Sequence, residues 1–562
     1  MSMEEEFRVR PGRIRDRGRP GRGFVGQVLR AVERAGGRAG PPRRGLVRGG
    51  RGQAAALLAE LRSPGRRVVV KARIVRHAGA RFRAAPLPAH LAYLQRDGTE
   101  RDGARGRLFG PDGPADGRAF AARCEGDRHH FRFIVSPEDG AQLADLGAFA
   151  RDLMRQAEAD LGGRLDWVGV AHWNTARPHL HLLVRGVDDT GSDLVIARDY
   201  ITRGLRGRAE ALASLELGPR TAREIAAAAG REVSAERWTR LDRSLEVLAT
   251  DGVVDLRPGA GLDPEARALL AGRAAALARL GLAAGEGPGR WTLDPELRER
   301  LHALALRQDI LVRLQRAQPG RRPEDLVPSG EAEGLPVLGR VAGRGLHDAL
   351  TGTAYLVLDG VDGRLRHVRL PDLAAAGDTP AGGLVEVRGG EDGPRVLNRS
   401  DLALDAQVRA WGATWLDRRL LAGAEQGLAA HGFGAEVREA LAARRQWLVD
   451  NGLATRSGRG VTLAPGLLSA LRDRELGAAG LALGREAGAP YVASGVGDAV
   501  RGLYLRRLDL ASGRFAAVLS EDAVRLLPWA GALDRRLGRT VSGRLGPDGM
   551  AWDLGRGREP GP

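Results

Sequence analysis

Alternating hydrophobic and polar residues in the first half of the chain predict an antiparallel β-sheet. Four segments alternate well enough for strands: residues 67–75, 129–136, 165–172 and 179–186. Ser136 and Pro137, at the end of the second segment, resemble a helix start, and the apolar residues that follow recur on one helical face. We therefore predict an α+β domain over residues 67–215, with at least four antiparallel strands and with helices on one face of the sheet.

The second half of the chain contains an internal repeat. In each copy an amphipathic helix ends in Gly-Leu-Ala, at residues 281–283 and 452–454, and the pattern Thr-Leu-x-Pro-x-Leu follows. A helix, a hairpin and a further helix in this order are typical of a winged helix-turn-helix, which binds either nucleic acid or protein. An all-helical packing module without nucleic-acid contacts is the alternative. Residues 238–254 resemble a degenerate third copy.

The remaining segments differ in composition. Between residues 8 and 51, fourteen Arg stand against two acidic residues, so this stretch cannot bury enough apolar surface to fold by itself. Two later stretches are rich in strand and hairpin signals, and we expect their histidines, His347 and His367, to be isolated. The predicted domains are a disordered Arg/Gly-rich arm (1–66), the α+β domain (67–215), a helical winged-helix-like module (216–330), a small β-rich domain (331–402), a second winged-helix-like module (403–485) and a β-rich C-terminal domain (486–562).

The charge of the chain indicates its kind of partner. The 562 residues contain 87 Lys and Arg against 70 Asp and Glu, a net charge of +17, and such a surface attracts polyanions such as nucleic acids. The single Cys excludes an internal disulfide framework. The sequence contains neither a run of 18 apolar residues nor the apolar core of a signal peptide. We therefore expect a cytoplasmic protein without membrane insertion.

Three histidines carry the strongest chemical signal. His179 and His181 alternate on a predicted strand, so their rings project from the same face. His172 closes the preceding apolar run, and Pro178 and polar residues lie between, which suits a short connection between neighbouring strands. Three converging imidazoles with an open coordination position are typical of a catalytic metal site. Strand histidines that bond only to the backbone are the alternative.

A DNA substrate would also require a nucleophile, and Tyr93 is the candidate. It lies on a predicted helix among several Arg residues, whose guanidinium groups would favour the phenolate and hold a phosphate beside it. Taken alone, Tyr93 would be interpreted as a packing aromatic, but its place in the same domain as the histidines favours the catalytic role. The residues expected to bind DNA phosphates are Arg83, Arg96, Arg101, Arg177 and Arg185.

Three motifs together resemble those of the conjugative and mobilisation relaxases, the His-hydrophobic-His nicking enzymes of plasmids and integrative elements. Residues 93–98 read Tyr-Leu-x-Arg-Asp-Gly, residues 135–139 read Val-Ser-Pro-Glu-Asp, and residues 172–181 read His-x-Asn-x-x-x-Pro-His-Leu-His. The resemblance covers residues 67–215 directly. A relaxase domain followed by a long C-terminal region is similar to one subgroup of the mobilisation relaxases.

The resemblance implies a transesterification that starts plasmid or element mobilisation. Tyr93 would attack a phosphodiester in single-stranded or supercoiled DNA at a transfer origin, leaving a 5′-phosphotyrosine and a free 3′-hydroxyl. A divalent ion, Mg²⁺ or Mn²⁺, on the three histidines would stabilise the transition state. Accessory relaxosome proteins and a type IV secretion coupling protein would be partners. Asn174 stands where better-known branches carry Asp, and its amide would orient an imidazole without ionising. For His130 a sheet-packing role is favoured over an orienting one.

Three other functions fit parts of this pattern. A rolling-circle replication initiator of the same fold would nick at a replication origin, but the chain has no Walker-type loop for an attached helicase. A catalytically silent DNA-binding regulator would not need Tyr93. A metal-dependent hydrolase using water would cleave DNA without forming a covalent adduct.

Overall fold

A computed structural model describes residues 49–77, 87–96, 98–175, 177–258, 262–328, 336–391, 393–423, 426–458 and 460–553. Within these residues the strands form two six-stranded sheets, one five-stranded sheet and two small sheets of three and two strands. Helices alternate with the sheets along the chain. The predicted α+β class is confirmed at this level.

The first sheet is antiparallel and contains the three histidines. Its strands are β1 (Val68–Arg76), β2 (Phe109–Gly110), β3 (Gly113–Pro114), β4 (His129–Pro137), β5 (Trp167–His172) and β6 (His179–Arg185), in the order β1-β4-β6-β5-β2-β3. The helices of this part are α1 (Gly49–Arg62), α2 (Leu87–Leu94), α3 (Gly117–Arg123), α4 (Leu146–Leu161) and α5 (Arg206–Leu217). The four long strands coincide with the four predicted by alternation.

Helices cover both faces of this sheet. On one face, α4 and α5 pack over alternate strand residues such as Phe133 and Leu182. On the other face, α2 and α3 pack against Val168, Val170 and Leu183. The prediction of helices on one face is therefore wrong. The second pair of helices escaped it because segments of eight and seven residues are too short to show a helical period.

Helix α1 corrects the prediction of a disordered arm over residues 1–66. Residues 1–48 of that arm lie outside the described part of the chain. Helix α1 follows them and buries Leu58 and Leu61 against Leu241 and Leu245. The last part of the predicted arm is thus a helix with apolar partners about 180 residues further along the chain, which no local composition could indicate.

The first winged-helix-like module follows the α+β domain. It consists of α6 (Ala222–Val233), α7 (Arg240–Leu248), β7 (Val253–Asp255), α8 (Pro264–Arg279), β8 (Ala283–Gly285), β9 (Arg290–Leu293) and α9 (Leu297–Ala317), and its strands pair in the order β7-β9-β8. Through Ile310 and Leu314, α9 packs on the next sheet. That sheet consists of β10 (Leu326–Val327), β11 (Val337–Leu346), β12 (Ala354–Gly360), β13 (Leu365–Leu370), β14 (Leu384–Arg388) and β15 (Arg395–Ser400), in the order β10-β13-β12-β11-β14-β15.

The second module and the last sheet complete the described chain. The module consists of α10 (Leu404–Arg409), α11 (Trp415–Leu421), α12 (Gly432–Asp450), the hairpin of β16 (Ala454–Ser457) and β17 (Gly460–Leu463), and α13 (Leu467–Ala487). The last sheet consists of β18 (Ala499–Leu510), β19 (Gly513–Leu519), β20 (Val524–Pro528), β21 (Thr540–Gly546) and β22 (Gly549–Asp553), in the order β20-β19-β18-β21-β22. No helix in the described ranges has both the length and the apolarity needed to cross a bilayer.

A buried Arg–Asp pair repeats in the two modules. Arg273 on α8 bonds both carboxylate oxygens of Asp242 on α7, at 2.7 and 2.9 Å, and Arg444 on α12 does the same with Asp417 on α11, at 2.8 Å each. All four side chains are fully buried. Each Asp also caps its own helix together with a Thr, in the shared sequence Thr-x-Leu-Asp-Arg. Residues 238–254 therefore belong to the first copy and are not a third one.

Removing one member of this pair should strongly destabilise its module. We expect Asp417→Ala to lower the unfolding free energy of the second module by about 3–5 kcal/mol, because it leaves the Arg444 charge buried without a counter-charge. Urea unfolding followed by the fluorescence of Trp447, whose ring centre lies 4.4 Å from Arg444 Cζ, measures the effect. The exposed Asp405 gives the matched control Asp405→Ala, which should stay within about 0.5 kcal/mol of the parent. Equal midpoints for both variants would contradict this account.

Candidate metal and nucleophile site

Three imidazoles meet where β5 ends and β6 begins. His172 is the register partner of His179, and His181 lies two residues further along the same face of β6. The ring centres are 4.4 Å apart for His172 and His181, 4.9 Å for His179 and His181, and 5.4 Å for His172 and His179. The predicted convergence of the three side chains, called the histidine triad below, is confirmed.

Backbone carbonyl groups fix the orientation of two of the rings. His172 Nε2 donates to the carbonyl oxygen of Leu94 at 2.9 Å, and His179 Nδ1 donates to that of Arg177 at 3.0 Å. Since a carbonyl oxygen only accepts, these nitrogens carry the proton of the neutral ring. The lone pairs are therefore on His172 Nδ1 and His179 Nε2, where they can bind a cation.

Burial keeps the triad in its neutral form. Desolvation lowers the pKa of His172 to about 3, lowers the pKa of His179, and holds the pKa of His181 well below its usual value. The neighbouring positive charge of Arg96 lowers the pKa of all three rings further. Neutral imidazole is the form that binds a metal ion.

The donor set of the triad fits a divalent metal ion. The candidate ligand atoms all lie within 4.8 Å of one another, and His179 Nε2 and His181 Nε2 are 3.1 Å apart. Two nitrogens bound at about 2.1 Å to one ion in tetrahedral geometry are about 3.4 Å apart, so this pair is already spaced to share an ion. Three protein ligands leave a coordination position for substrate or water.

Helix α2, which bears Tyr93, contacts the triad through its backbone. Leu94, whose carbonyl group orients His172, directly follows Tyr93. Arg96 Cζ lies 4.5 Å from the centre of the Tyr93 ring, and the same guanidinium group is close enough to lower the pKa of every triad imidazole. Arg96 is thus a neighbour of both the tyrosine and the triad, as expected for a site that binds phosphate.

An open groove of about 1160 Å³ lies at the β2–β3 edge of the sheet, on the α4 side and not on the face that carries the triad. Residues on either side of His172, Ala171 and Trp173, line it together with Phe109, Arg107 and others. The carboxylates of Glu100, Asp112 and Asp145 also line the groove, together with the guanidinium groups of Arg105, Arg107 and Arg151. Aromatic rings and guanidinium groups in an open groove suit the stacking of unpaired bases and the binding of phosphates.

Neither Asn174 nor His130 orients the triad. Asn174 is exposed in the β5–β6 loop, and carbonyl groups bond the rings in its place. His130 Nδ1 lies 2.7 Å from His77 Nε2, and His130 Nε2 accepts a hydrogen bond from Arg132 Nε at 3.0 Å. The backbone supplies the acceptors in place of Asn174, and both ring nitrogens of His130 are bonded away from the triad, which agrees with the sheet-packing role that the sequence favoured for His130.

Two of the predicted phosphate-binding residues make internal contacts. Arg185 forms a bidentate ion pair with the buried carboxylate of Asp127, at 2.8 and 3.0 Å. The prediction for Arg185 is wrong because its charge is neutralised inside the domain. Arg101 donates to two backbone carbonyl groups, and its Cζ lies 4.0 Å from the centre of the Trp173 ring. Arg101 therefore supports the groove by holding an aromatic ring.

The other predicted phosphate-binding residues have different positions. Arg96 lies at the triad, as described above. Arg177 is exposed in the β5–β6 loop, and its carbonyl group holds His179. Arg83 lies outside the described residues. Of the four predicted arginines that the structure describes, Arg96 and Arg177 are therefore the ones next to the triad.

The sequence-based reasoning missed two buried residues near the triad. His90 on α2 is 4% exposed, and its Nδ1 has no hydrogen-bond partner in the part of the chain that the structure describes. Arg132 on β4 shares the sheet face of the triad, and burial lowers its pKa to about 10. Both had a sequence signal, since His90 precedes Tyr93 by three residues on one helix and Arg132 alternates with His130 on one strand.

Mild acid should destabilise the α+β domain. Burial lowers the pKa of His130 to about 2 and that of His90 well below its usual value, whereas both titrate near 6.5 when unfolded. Below pH 6.5 the unfolded chain therefore binds more protons, and stability falls by about 1.4 kcal/mol per pH unit for each such histidine. Burial raises the pKa of Glu232 on α6 to about 7 and also raises the pKa of Glu210 on α5, so these two groups act in the opposite sense, but the buried histidines outnumber them.

Hydrogen exchange of β4 and β6 amides at several pH values measures this effect. Between pH 6.5 and 5, ordinary carboxylates stay ionised, so protection should fall because the buried histidines outnumber the buried carboxylates that titrate in this range. After correction for intrinsic exchange rates, protection that stays constant over this range would contradict the prediction. Peptides from the last sheet, in which the described residues include no histidine, are the internal control.

The chain belongs to the family described as a protein of unknown function (DUF3363), whose model matches residues 270–400 and 392–561. No curated protein and no solved structure matches the chain. The matched region runs from within α8 to the end of the last sheet, so the triad and Tyr93 precede it.

Proposed function

We propose that the chain is a DNA strand transferase of the relaxase type, in which Tyr93 attacks a phosphodiester of one strand at a transfer origin. The observation that carries the proposal is the meeting of the triad with the helix that bears Tyr93 and Arg96. A metal-binding donor set, a phenol nucleophile and a guanidinium group are the three parts that phosphoryl transfer to tyrosine requires.

The chemical step exchanges one phosphodiester for another. The Tyr93 oxygen forms a bond to phosphorus while the bond from phosphorus to the 3′ oxygen breaks. The phenol proton is lost to solvent and the departing 3′ oxygen takes one up, so that protons balance. The products are a 5′-phosphotyrosine and a 3′-hydroxyl. Since bond types are conserved, the step needs no nucleotide cofactor and can reverse to reseal the strand.

Each side chain of the site has a distinct task. Arg96, beside the Tyr93 ring, draws the phosphate towards the phenol by charge. The triad, kept neutral by burial and oriented by carbonyl groups, would hold the metal ion. When bound, a divalent ion supplies positive charge to a non-bridging phosphate oxygen in the transition state. Imidazole ligands favour Mn²⁺ over Mg²⁺ in such a site.

A single strand fits this site better than a duplex. The groove at the β2–β3 edge, which begins next to His172 along the chain, offers Phe109 and Trp173 for stacking and Arg107 for phosphate contacts. Stacking requires bases that are not paired, and negatively supercoiled DNA supplies such bases by local melting. Supercoiled or single-stranded DNA is therefore the expected substrate.

The direct test is strand cleavage with retention of protein. Purified full-length protein and Mn²⁺ are incubated with supercoiled DNA that carries the region flanking its own gene, and denaturing gels separate free from protein-bound DNA. We expect nicked DNA that stays attached to protein and is released by proteinase. Nicking without attachment would overturn the proposal in favour of a hydrolase. Binding without nicking, on this DNA and on single-stranded oligonucleotides tiled across it, would favour a regulator.

A further inference from the structure

The hydroxyl of Tyr93 faces the second six-stranded sheet. A Cβ atom placed on Gly345 of β11 would lie 2.4 Å from the Tyr93 hydroxyl and 3.0 Å from the Tyr355 hydroxyl of β12. The two phenol oxygens are therefore neighbours, and only glycine at position 345 leaves room for both. The α+β domain therefore contacts the part of the chain that the family model matches, residues 270–561, which is called the family region below.

Positively charged and aromatic groups surround Tyr355. Arg313 Cζ lies 4.9 Å from the centre of the Tyr355 ring. The His367 ring also stacks on the Tyr355 ring, with the two ring centres 5.0 Å apart. Arg313 also bonds His347, whose ring centre is 5.5 Å from that of His367. The expectation that His347 and His367 are isolated is therefore wrong, because pairing of β12 with β13 brings His367 to Tyr355 and the loop after β11 brings His347.

Three guanidinium groups at this junction have no carboxylate partner. Arg96 lies beside the Tyr93 ring, Arg313 lies beside the Tyr355 ring, and Arg316 follows Arg313 by three residues on α9, so it shares that face of the helix. Within the described ranges, Arg313 bonds the ring and the carbonyl group of His347, Arg96 donates to the carbonyl group of Tyr93, and none of the three groups forms an ion pair with a carboxylate. Elsewhere arginines are commonly paired, as Arg298 and Arg300 are on the same helix α9. A cluster of unpaired cations beside two phenols is a site for an anion.

We propose that Arg313, Arg316 and Tyr355 form a binding site for a DNA backbone phosphate next to the one that Tyr93 attacks. The family region would thus complete the substrate site of the α+β domain. Arg313 and Arg316 supply charge, and the Tyr355 hydroxyl donates a hydrogen bond to a phosphate oxygen. The identity of the anion rests on the proposed function, whereas the site itself rests on the unpaired groups. Tyr355 is a positioning residue and takes no part in bond making.

Binding without cleavage tests this site independently of the reaction. Fluorescence anisotropy measures the affinity of the full chain for a labelled single-stranded 30-mer from the region flanking its gene, in EDTA and at several salt concentrations. Each phosphate contact contributes about 0.7 to the slope of log affinity against log salt. We expect Arg313→Ala/Arg316→Ala to lower the slope by about 1.4 and the affinity about tenfold at 0.15 M salt.

Two further double variants distinguish binding at this site from the effect of the chain's overall positive charge. Arg279→Ala/Arg307→Ala removes the same charge from exposed positions of α8 and α9 and should lower the slope much less. Arg313→Lys/Arg316→Lys should recover most of the slope. Equal slopes for the two alanine pairs would overturn the proposed site. If the slopes differ as expected but no covalent adduct ever forms, the anion site stands and the proposed strand transfer fails.

Discussion

Replacing Tyr93 by Phe should abolish the covalent protein–DNA adduct. The substitution removes one oxygen atom and keeps the ring that Arg96 contacts at 4.5 Å, so the site should remain folded and able to bind DNA. Without the phenol oxygen no bond to phosphorus can form, and loss of a nucleophile lowers activity by at least about a thousandfold. Gel assays of adduct formation with Mn²⁺ measure the loss.

A second tyrosine in the same domain provides the control. The Tyr200 side chain is in the hydrophobic core on the opposite face of the sheet, and its hydroxyl donates to Asp160 at 3.0 Å. Tyr200→Phe should keep adduct formation within a few-fold of the parent. If Tyr93→Phe still forms adduct at the parental rate, another residue is the nucleophile and the assignment of Tyr93 fails.

Replacing His179 by Ala should remove metal binding and, with it, adduct formation. The substitution leaves two of three ligands and removes the Nε2 atom that lies 3.1 Å from His181 Nε2. Loss even of outer contacts to a ligand costs about 10- to 100-fold in metal affinity, so loss of a ligand should cost at least about 100-fold. Titration calorimetry with Mn²⁺ measures this directly, without DNA.

His129 provides a matched control for the metal prediction. It precedes His130 on β4, its ring stacks edge-on against Phe131, and its Nε2 contacts the carbonyl group of Leu194. His129→Ala removes an imidazole from the same sheet without touching the triad, and Mn²⁺ affinity should stay unchanged. Equal Mn²⁺ affinities of His179→Ala and the parent would show that the triad is not the metal site.

The sheet and the triad could be predicted because both depend on local periodicity. Alternation along a strand places His179 and His181 on one face, and pairing of consecutive strands brings His172 opposite His179. The position of Tyr93 needed more than a pattern. Helix α2 reaches the triad because its apolar side packs on the sheet face that carries the histidines. In the sequence, only the resemblance of the tyrosine and histidine motifs to those of relaxases indicated that the two lie close together.

Contacts between distant segments could not be predicted in the same way. The partner of Arg185 is Asp127, 58 residues earlier, so the arginine seemed free to bind phosphate. Gly345 approaches Tyr93 from another domain, and no local rule relates the two positions. Such contacts depend on how helices and strands pack against one another, and neither the periodicity of a segment nor the spacing of its residues determines that packing.

The buried Arg273–Asp242 pair is partly local and partly a contact between distant segments. Its helix cap is local and visible as Thr-x-Leu-Asp, and the same pattern recurs 175 positions later in the second module. The arginine that closes the pair is on the following long helix, and only the repeat of both segments together could have linked them. Comparison of the two copies with each other would therefore have predicted this contact.

The central claim is that Tyr93 becomes covalently joined to a DNA 5′ end. Peptide mapping by mass spectrometry, after incubation with Mn²⁺ and DNA and digestion with nuclease and protease, tests it most directly. The account predicts that the peptide containing Tyr93 gains the mass of a 5′-phosphonucleotide and that no other peptide does. A nucleotide on a different residue, or cleaved DNA with every tyrosine unmodified, would contradict it.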